Sequence, residues 1–315
     1  MSSDRGTAPA DLFLCGWRLR TRIAMPELAP WTGDDREPDL LIRTGAIPAR
    51  LADAEDVSPL LQVNPERQAR LAIDGVATYW LRSAHEIVID PQIDVDSPDV
   101  RTFLFGTMLG LLCHRRELFP LHASCVVVAG RAIAISGVSG SGKSTLAAAL
   151  VRRGHRLVSD DVCAIDAGAA GGPVVRPAFP RVKLWQDSLA AMGVATDGLH
   201  ANRFGQNKYY LRFSDPAEFQ AEPVPLGAVY LLDPLTAPVA GREGIRRLGT
   251  MQAVTELHDQ IYRKRTALRW GRAADLFAAV GKIVAAADVH RLTRGPDLAG
   301  LDGMVRQIEA QAAAA

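Results

Sequence analysis

Gly137-Val-Ser-Gly-Ser-Gly-Lys-Ser144 decides the fold, because it is a complete G-x-x-x-x-G-K-[ST] phosphate loop. Its flanks agree with it. Arg131-Ala-Ile-Ala-Ile-Ser136 before it is the short apolar run of a buried strand. Thr145-Leu-Ala-Ala-Ala-Leu-Val-Arg-Arg153 after it is rich in helix formers and stops at Gly154. A strand, a glycine turn and a helix N-terminus make an anion site, since backbone N–H groups converge and the helix dipole favours negative charge. Gly137, Gly140 and Gly142 permit close backbone approach to phosphate. Ser139, Ser141 and Thr145 go with them as nucleotide-binding candidates. Lys143 is expected to reach the β- and γ-phosphates, and the Ser144 hydroxyl to hold Mg²⁺. The competing reading, a chance glycine turn before a helix, explains neither the full motif nor both flanks. The expected ligand is ATP or GTP.

The chain has 315 residues, enough for one large domain or two ordinary ones. Its 36 Lys and Arg against 35 Asp and Glu leave no basic field for nucleic acid or an anionic membrane. The four cysteines, Cys15, Cys113, Cys125 and Cys163, form no C-x-x-C pair or Cys/His cluster, so buried free thiols are expected. The first residues are polar and lack the apolar core of a signal peptide. The most hydrophobic run, Thr102 to Cys113, is 12 residues long. A bilayer span needs about 20. A cytoplasmic protein without membrane or nucleic-acid partners is therefore expected, with its oligomeric state open, a homo-oligomer included.

Residues 1–98 read as a small β-rich domain and 99–315 as the phosphate-loop domain. Short β-type runs occur at Leu12-Phe-Leu14, Asp39–Arg43, Arg70–Asp74, Val76–Leu81 and Glu86–Asp90. Asp74-Gly75 is a hairpin turn between two of them. From Val100 an apolar helix runs to about Arg115, followed by strands at 123–128, 156–158, 162–166 and 228–232. Helices are expected at 184–192, 251–262, 273–286 and 298–310, with an alanine-rich frayed tail.

Two features frame the loop: Leu121-His-Ala-Ser124 upstream, and Gly154-His-Arg-Leu-Val-Ser-Asp-Asp-Val162 downstream. Asp160 and Asp161 fall at a strand end, where metal and nucleophile meet beside a phosphate loop. Of two such carboxylates, one can hold Mg²⁺ and the other can accept a proton from an incoming hydroxyl. His122 could orient the base and tune it. The plainer reading makes the aspartates a turn cap and His122 a core histidine.

His122, Gly137 to Ser144 and Gly154 to Val162 together resemble the catalytic domain of HPr kinase/phosphorylase. That family phosphorylates a serine of a small phosphocarrier protein, and its fold is related to phosphoenolpyruvate carboxykinase. The resemblance is tight over residues 121–162 and looser to about 300. It implies an α/β fold of this P-loop kinase type, ATP with Mg²⁺, and Lys143 among the catalytic groups. It also implies Asp160 as base, His122 as its partner, and Ser144 with Asp161 at the metal.

Arg176-Pro-Ala-Phe-Pro-Arg-Val-Lys-Leu-Trp185 departs from the family's Glu-containing, glycine-rich signature associated with phosphorolysis. The N-terminal unit departs as well. Both features resemble instead the HPr-kinase-like proteins of ribosomal peptide pathways, among them kinases of the C-terminal serine of lasso-peptide precursors. The expectation is a one-way serine kinase with a peptide or small-protein acceptor. A bifunctional HPr kinase/phosphorylase and a non-catalytic nucleotide-gated module are the alternatives.

Three further stretches carry weaker signals. Arg181 and Lys183 alternate with Val182 and Leu184, so both could project to one side and meet phosphate or an acidic acceptor. Asn202 to Leu211 is polar with interleaved aromatics, an acceptor loop or an ordinary surface loop. The basic run Tyr262-Arg-Lys-Arg265, with Arg269 and Arg272, reads most simply as a solvated helix end. Val229-Tyr-Leu-Leu-Asp233 imitates the second acidic motif of transporter ATPases, but no Leu-Ser-Gly-Gly-Gln run accompanies it and Pro234 follows Asp233.

Overall fold

Trp17-Arg-Leu-Arg-Thr21 buries every second residue, the period of a strand with one face on a core. That alternation recurs through the first ninety residues and builds a sheet. The computed structural model describes residues 8–201, 207–213, 215–234, 243–295 and 300–314. Its contacts divide the chain into two units, 1–117 with 263–272, and 118–262 with 273–315. The division thus falls at 117/118, whereas the sequence places it at 98/99.

The first unit contains β1 (Ala10–Leu14), β2 (Trp17–Thr21), β3 (Leu40–Thr44), β4 (Glu55–Ser58), β5 (Leu61–Val63), β6 (Ala69–Ile73), β7 (Ala77–Ser83) and β8 (Glu86–Pro91). They form one sheet in the order β1-β2-β3-β8-β7-β6-β5-β4. Asp74-Gly75 turns β6 into β7, and Gly75 has a φ of 67°, which suits glycine. The apolar stretch after β8 is helical, as α1 (Pro98–Phe103), a π-helical turn Leu104–Met108, and α2 (Leu109–Arg115). Ser97 caps α1 by accepting from the Asp99 N–H.

Within this unit Arg101 and Glu27 form an ion pair of 2.9 Å, their side chains only 6% and 7% exposed. Removing one partner leaves the other charge buried. Arg101→Met is expected to destabilise the protein by about 3–5 kcal/mol. Glu27→Leu combined with Arg101→Met should recover most of that loss, since no lone charge remains. Urea unfolding of both variants checks this.

The second unit begins with β9 (Phe119–Leu121), β10 (Ala123–Val128), β11 (Arg131–Gly137), α3 (Lys143–Arg152), β12 (Arg156–Ser159), β13 (Cys163–Asp166), β14 (Val174–Arg176) and β15 (Arg181–Trp185). There follow α4 (Gln186–Ala191), β16 (Lys208–Arg212), β17 (Val224–Leu232), β18 (Gly244–Arg247) and α5 (Thr250–Asp259). After α6 (Lys264–Arg269), which belongs to the first unit, come α7 (Ala273–Ala286), β19 (Asp288–Thr293) and α8 (Leu301–Ala314).

β11, β17 and β19 run parallel and end together on the side where the phosphate loop leaves β11. β10 pairs antiparallel with both β11 and β12, which brings the end of β12 back beside the start of β10. α3 covers this sheet, burying Leu146, Leu150 and Val151 in a cluster with Ile133, Ile135, Leu157, Val182, Leu184, Leu292, Val305 and Ile308. Deleting any such side chain to alanine removes about 2–5 kcal/mol.

Four expectations change. Leu184 and Trp185 end β15, and the helix starts only at Gln186, because Val182 and Leu184 face the core with strand period. The alanine tail is helical through Ala314. The basic run is exposed at Arg263, Arg265 and Arg269, as a solvated helix end is, but Arg272 departs from that reading: it is buried and donates to the His114 carbonyl at 3.0 Å, while Arg269 pairs with Glu55, all within the first unit. Asn202 to Leu211 resolves in part into β16, with 202–206 outside the described residues.

Candidate active site

The loop's backbone explains its sequence. Gly142 sits at a φ of 97°, and a Cβ there would stand 2.1 Å from a guanidinium nitrogen of Arg294. Gly137, at a φ of 143°, has the Leu232 carbonyl 2.8 Å from where its Cβ would be. Both positions favour glycine by conformation, and at Gly137 the backbone carbonyl adds a steric reason, whereas at Gly142 the Arg294 side chain could move aside. Arg294 donates to the Ser141 carbonyl at 3.2 Å, tying the loop to the residues just after β19.

Lys143 opens α3 and turns back over the loop, donating to the Gly137 carbonyl at 2.8 Å and the Val138 carbonyl at 3.1 Å. Burial holds its ammonium below the ordinary lysine range, with Asp160 and Asp161 opposing that shift. The Ser144 hydroxyl donates to Asp160 Oδ1 at 2.8 Å. The Ser141 hydroxyl is buried and has no hydrogen-bond partner among the described residues. Thr145 is drawn away, its hydroxyl 2.9 Å from that of Ser188.

The two aspartates part company. Asp160 directly follows β12 and is almost fully buried, 5% exposed. Its carboxylate also accepts from the Ser124 hydroxyl at 2.5 Å and the Lys183 N–H at 2.9 Å. Burial raises its carboxyl above the usual carboxylate range, and the three hydrogen bonds oppose that. Asp161 adopts a left-handed φ of 69°, which swings its side chain off the strand direction and leaves it 50% exposed.

His122 lies on Asp161. Its Nδ1 is 3.1 Å from the Asp161 carbonyl and 3.4 Å from Oδ1. A carbonyl only accepts, so Nδ1 carries the proton of the neutral ring and Nε2 is left as an acceptor. Burial pushes the imidazole below its ordinary value, keeping it neutral at neutral pH, against the opposing pull of Asp161. The resemblance pairs His122 with Asp160 and Ser144 with Asp161; the contacts here run from His122 to Asp161 and from Ser144 to Asp160. The reason is the turn at Asp161, which points adjacent carboxylates in different directions.

These groups line one cleft of about 200 Å³, together with Ser139, Gly140, Lys183, Trp185 and Lys208. Arg181 is not among them. It is buried over the Phe179 and Tyr210 rings, at 5.2 and 4.3 Å from their centroids. Asp233 is engaged by Arg291 at 3.0 Å and the Thr293 hydroxyl at 2.5 Å. Ser124, Trp185 and Lys208 are the site residues that sequence reasoning did not single out. Ser124 stood in the Leu121–Ser124 stretch, one strand period from His122. Trp185 and Lys208 lie in stretches already singled out, Arg176–Trp185 and Asn202–Leu211, but only the β15–β16 register brings the two together.

All four cysteines are free and buried. Among the described residues no helix is long and apolar enough to cross a membrane, and no group of three or more His, Cys, Asp or Glu could hold a metal ion by itself.

Residues 116–172 match the HPr Serine kinase C-terminal domain. An HPr kinase/phosphorylase of Clostridium botulinum (strain Eklund 17B / Type B) is 36% identical over 74 residues, covering 24% of this chain and 23% of that protein. A putative HPr kinase/phosphorylase 2 of Oceanobacillus iheyensis is 52% identical over 50 residues, 15% of this chain and 16% of that protein. The chain thus matches under a quarter of the length of these two curated relatives. The structure of the Hpr(Ser) kinase/phosphatase from Coxiella burnetii aligns with 61% of this chain and 97% of its own, at a TM-score of 0.31 and 16% identity. The matched segment holds His122, the phosphate loop and both aspartates, and across it the chain is HPr-kinase-like.

Proposed function

We propose that this chain is an ATP-dependent serine kinase of the HPr-kinase-like type, acting on a peptide or small protein. The observation that carries the reading is the convergence of Lys143, Ser144, Asp160, Asp161 and His122 on one cleft. The residues suit a magnesium nucleotide. Lys143 spends its ammonium on loop carbonyls, Ser141 holds a buried unpartnered hydroxyl, and Ser144 with Asp160 offers adjoining hard oxygen donors. Bound there, the magnesium nucleotide supplies the γ-phosphoryl group and neutralises its charge.

The protein's part is to position and to move one proton. Lys143 swings from the carbonyls to the phosphates. Ser144 and Asp160 would hold the metal ion. Asp161 takes the acceptor serine's proton as the serine oxygen bonds to the γ-phosphorus and the bond to the β–γ bridging oxygen breaks, leaving ADP. His122, neutral, fixes Asp161 through its carbonyl and carboxylate. The departure at Arg176 to Trp185 favours transfer in one direction, and the C-terminal serine of a lasso-peptide precursor is the proposed acceptor. The names of the matched relatives favour a second reading, phosphorylation of HPr itself with the reverse phosphorolysis.

Parallel incubation of HPr and a lasso-precursor peptide with labelled ATP, then mass mapping, tests the two. Labelling of the peptide serine alone is expected. Efficient HPr labelling, or pyrophosphate release when phosphate is added to the product, returns the chain to the bifunctional reading.

A further inference from the structure

β15 and β16 form a two-stranded hairpin with one apolar face and one cationic face. Val182 and Leu184 point into the core, so Arg181, Lys183 and Trp185 share the opposite face by strand period. The antiparallel register sets Lys183 opposite Tyr210, and Trp185 opposite Lys208. The face therefore alternates cations with aromatic rings. Arg181 is committed to its two rings, while Lys183 and Lys208 reach the cleft.

The Lys208 ammonium stands over Trp185, 4.2 Å from the ring centroid, and Lys183 stands 5.7 Å from that of Tyr210. Neither lysine makes an ion pair with a carboxylate among the described residues. Burial lowers both ammonium groups, and each also feels the other or the cleft's charges. Lys143, which lines the same cleft, is held down in part by Lys208. Three cations thus face two carboxylates in one small cleft, an arrangement that like-charge repulsion opposes unless a polyanion enters between them.

We propose that Lys208, seated on Trp185 and flanked by Lys183, is the cation that closes on the γ-phosphoryl group from the side opposite Lys143. This rests on the kinase reading above and adds to it the group that stabilises transferred charge. Among the described residues, Lys183 and Lys208 are the lysines that line the cleft from outside the phosphate loop. An ammonium on the far side is placed to gain most as charge spreads over the equatorial oxygens, which raises turnover rather than mere affinity. Trp185 holds that ammonium before the nucleotide arrives and gives it up when phosphate competes for it.

The test uses the full chain and Lys208→Met. Its kcat is expected to fall by about a hundredfold or more, while Mg·ADP affinity stays within about threefold. The preference for Mg·ATP over Mg·ADP should be lost with it. Lys208→Arg should recover part of the rate. A second readout does not depend on turnover: Mg·ATP should change the fluorescence of Trp185 in the wild type, identified by its absence in Trp185→Phe. Mg·ADP should not, and neither nucleotide should do so in Lys208→Met. Unchanged kcat and an unchanged ATP-over-ADP preference in Lys208→Met would overturn the assignment. So would a Trp185 signal of equal size with Mg·ADP. If Lys143→Ala binds nucleotide as the wild type does, the phosphate-loop reading fails instead, which separates the two failures.

Discussion

Lys143→Ala should lose phosphotransfer by roughly a hundred- to a thousandfold, the cost of removing one preorganised group aimed at developing charge. The same change should leave the fold intact. Lys143 is 7% exposed, and burial holds its ammonium below the ordinary lysine range. A lysine so placed is charged at a cost in the folded state, and that cost is present throughout the neutral range. It is relieved only as pH rises from the lowered value towards that of a free lysine, where the folded state sheds its proton first. Alanine removes the cost together with two hydrogen bonds to loop carbonyls, each worth about 1 kcal/mol net. The two effects oppose each other, so the melting temperature should move little. The wild type should gain more stability on approach to the lysine range than the variant, which keeps only the lowered Lys183 and Lys208 of the cleft's lysines. Initial rates with saturating acceptor, and thermal melts across alkaline pH, read both halves. Transfer within about tenfold of the wild type would remove Lys143 from the mechanism.

The aspartates should separate under the same conservative change. Asp160→Asn is expected to weaken Mg²⁺-dependent nucleotide binding, because Asp160 adjoins the Ser144 hydroxyl and is buried behind it. Asp161→Asn should bind Mg·ATP nearly as the wild type does, yet transfer about a hundred- to ten-thousandfold more slowly, the range for a lost general base. His122→Ala should fall between, since it orients Asp161 rather than accepting the proton. Calorimetric titration with and without Mg²⁺, beside single-turnover rates, tells the cases apart. One feature favours the opposite assignment: burial raises the Asp160 carboxyl, as suits a base. If Mg²⁺-dependent affinity survives in Asp160→Asn and collapses in Asp161→Asn, Asp160 is the base.

The elements legible in the sequence were those whose pattern is local. The glycines announced the phosphate loop, and the apolar runs beside it are β10 and β11. α7 occupies the expected 273–286. What stayed hidden depends on a single torsion or on pairing. Asp160 and Asp161 are equivalent as letters, and only the left-handed turn at the second divides their surroundings. β19 carries His290 and Arg291 amid its apolar residues, so its place beside β17 leaves a weak signal. The β15–β16 hairpin was masked because Leu184 to Met192 also fits helical spacing, and because its strands lie some twenty residues apart. The sequence places the boundary at 98/99 and the contacts divide the chain at 117/118, because the apolar run after Val100 reads as core without saying whose core.

The return of residues 263–272 to the first unit has a consequence for dissection. The polypeptide passes between the units three times, so neither can be excised by a single cut. A truncation that removes residues 1–98 strands Arg269 without Glu55, and one that removes 1–117 also strands Arg272 without His114. It leaves behind an orphaned basic segment whose partners are gone. An assay of the isolated catalytic half would then report on that exposed segment as much as on the lost domain. Clean separation requires replacing 263–272 with a short linker joining Tyr262 to Ala273, and a gene that exchanged its N-terminal unit would have to exchange this segment with it.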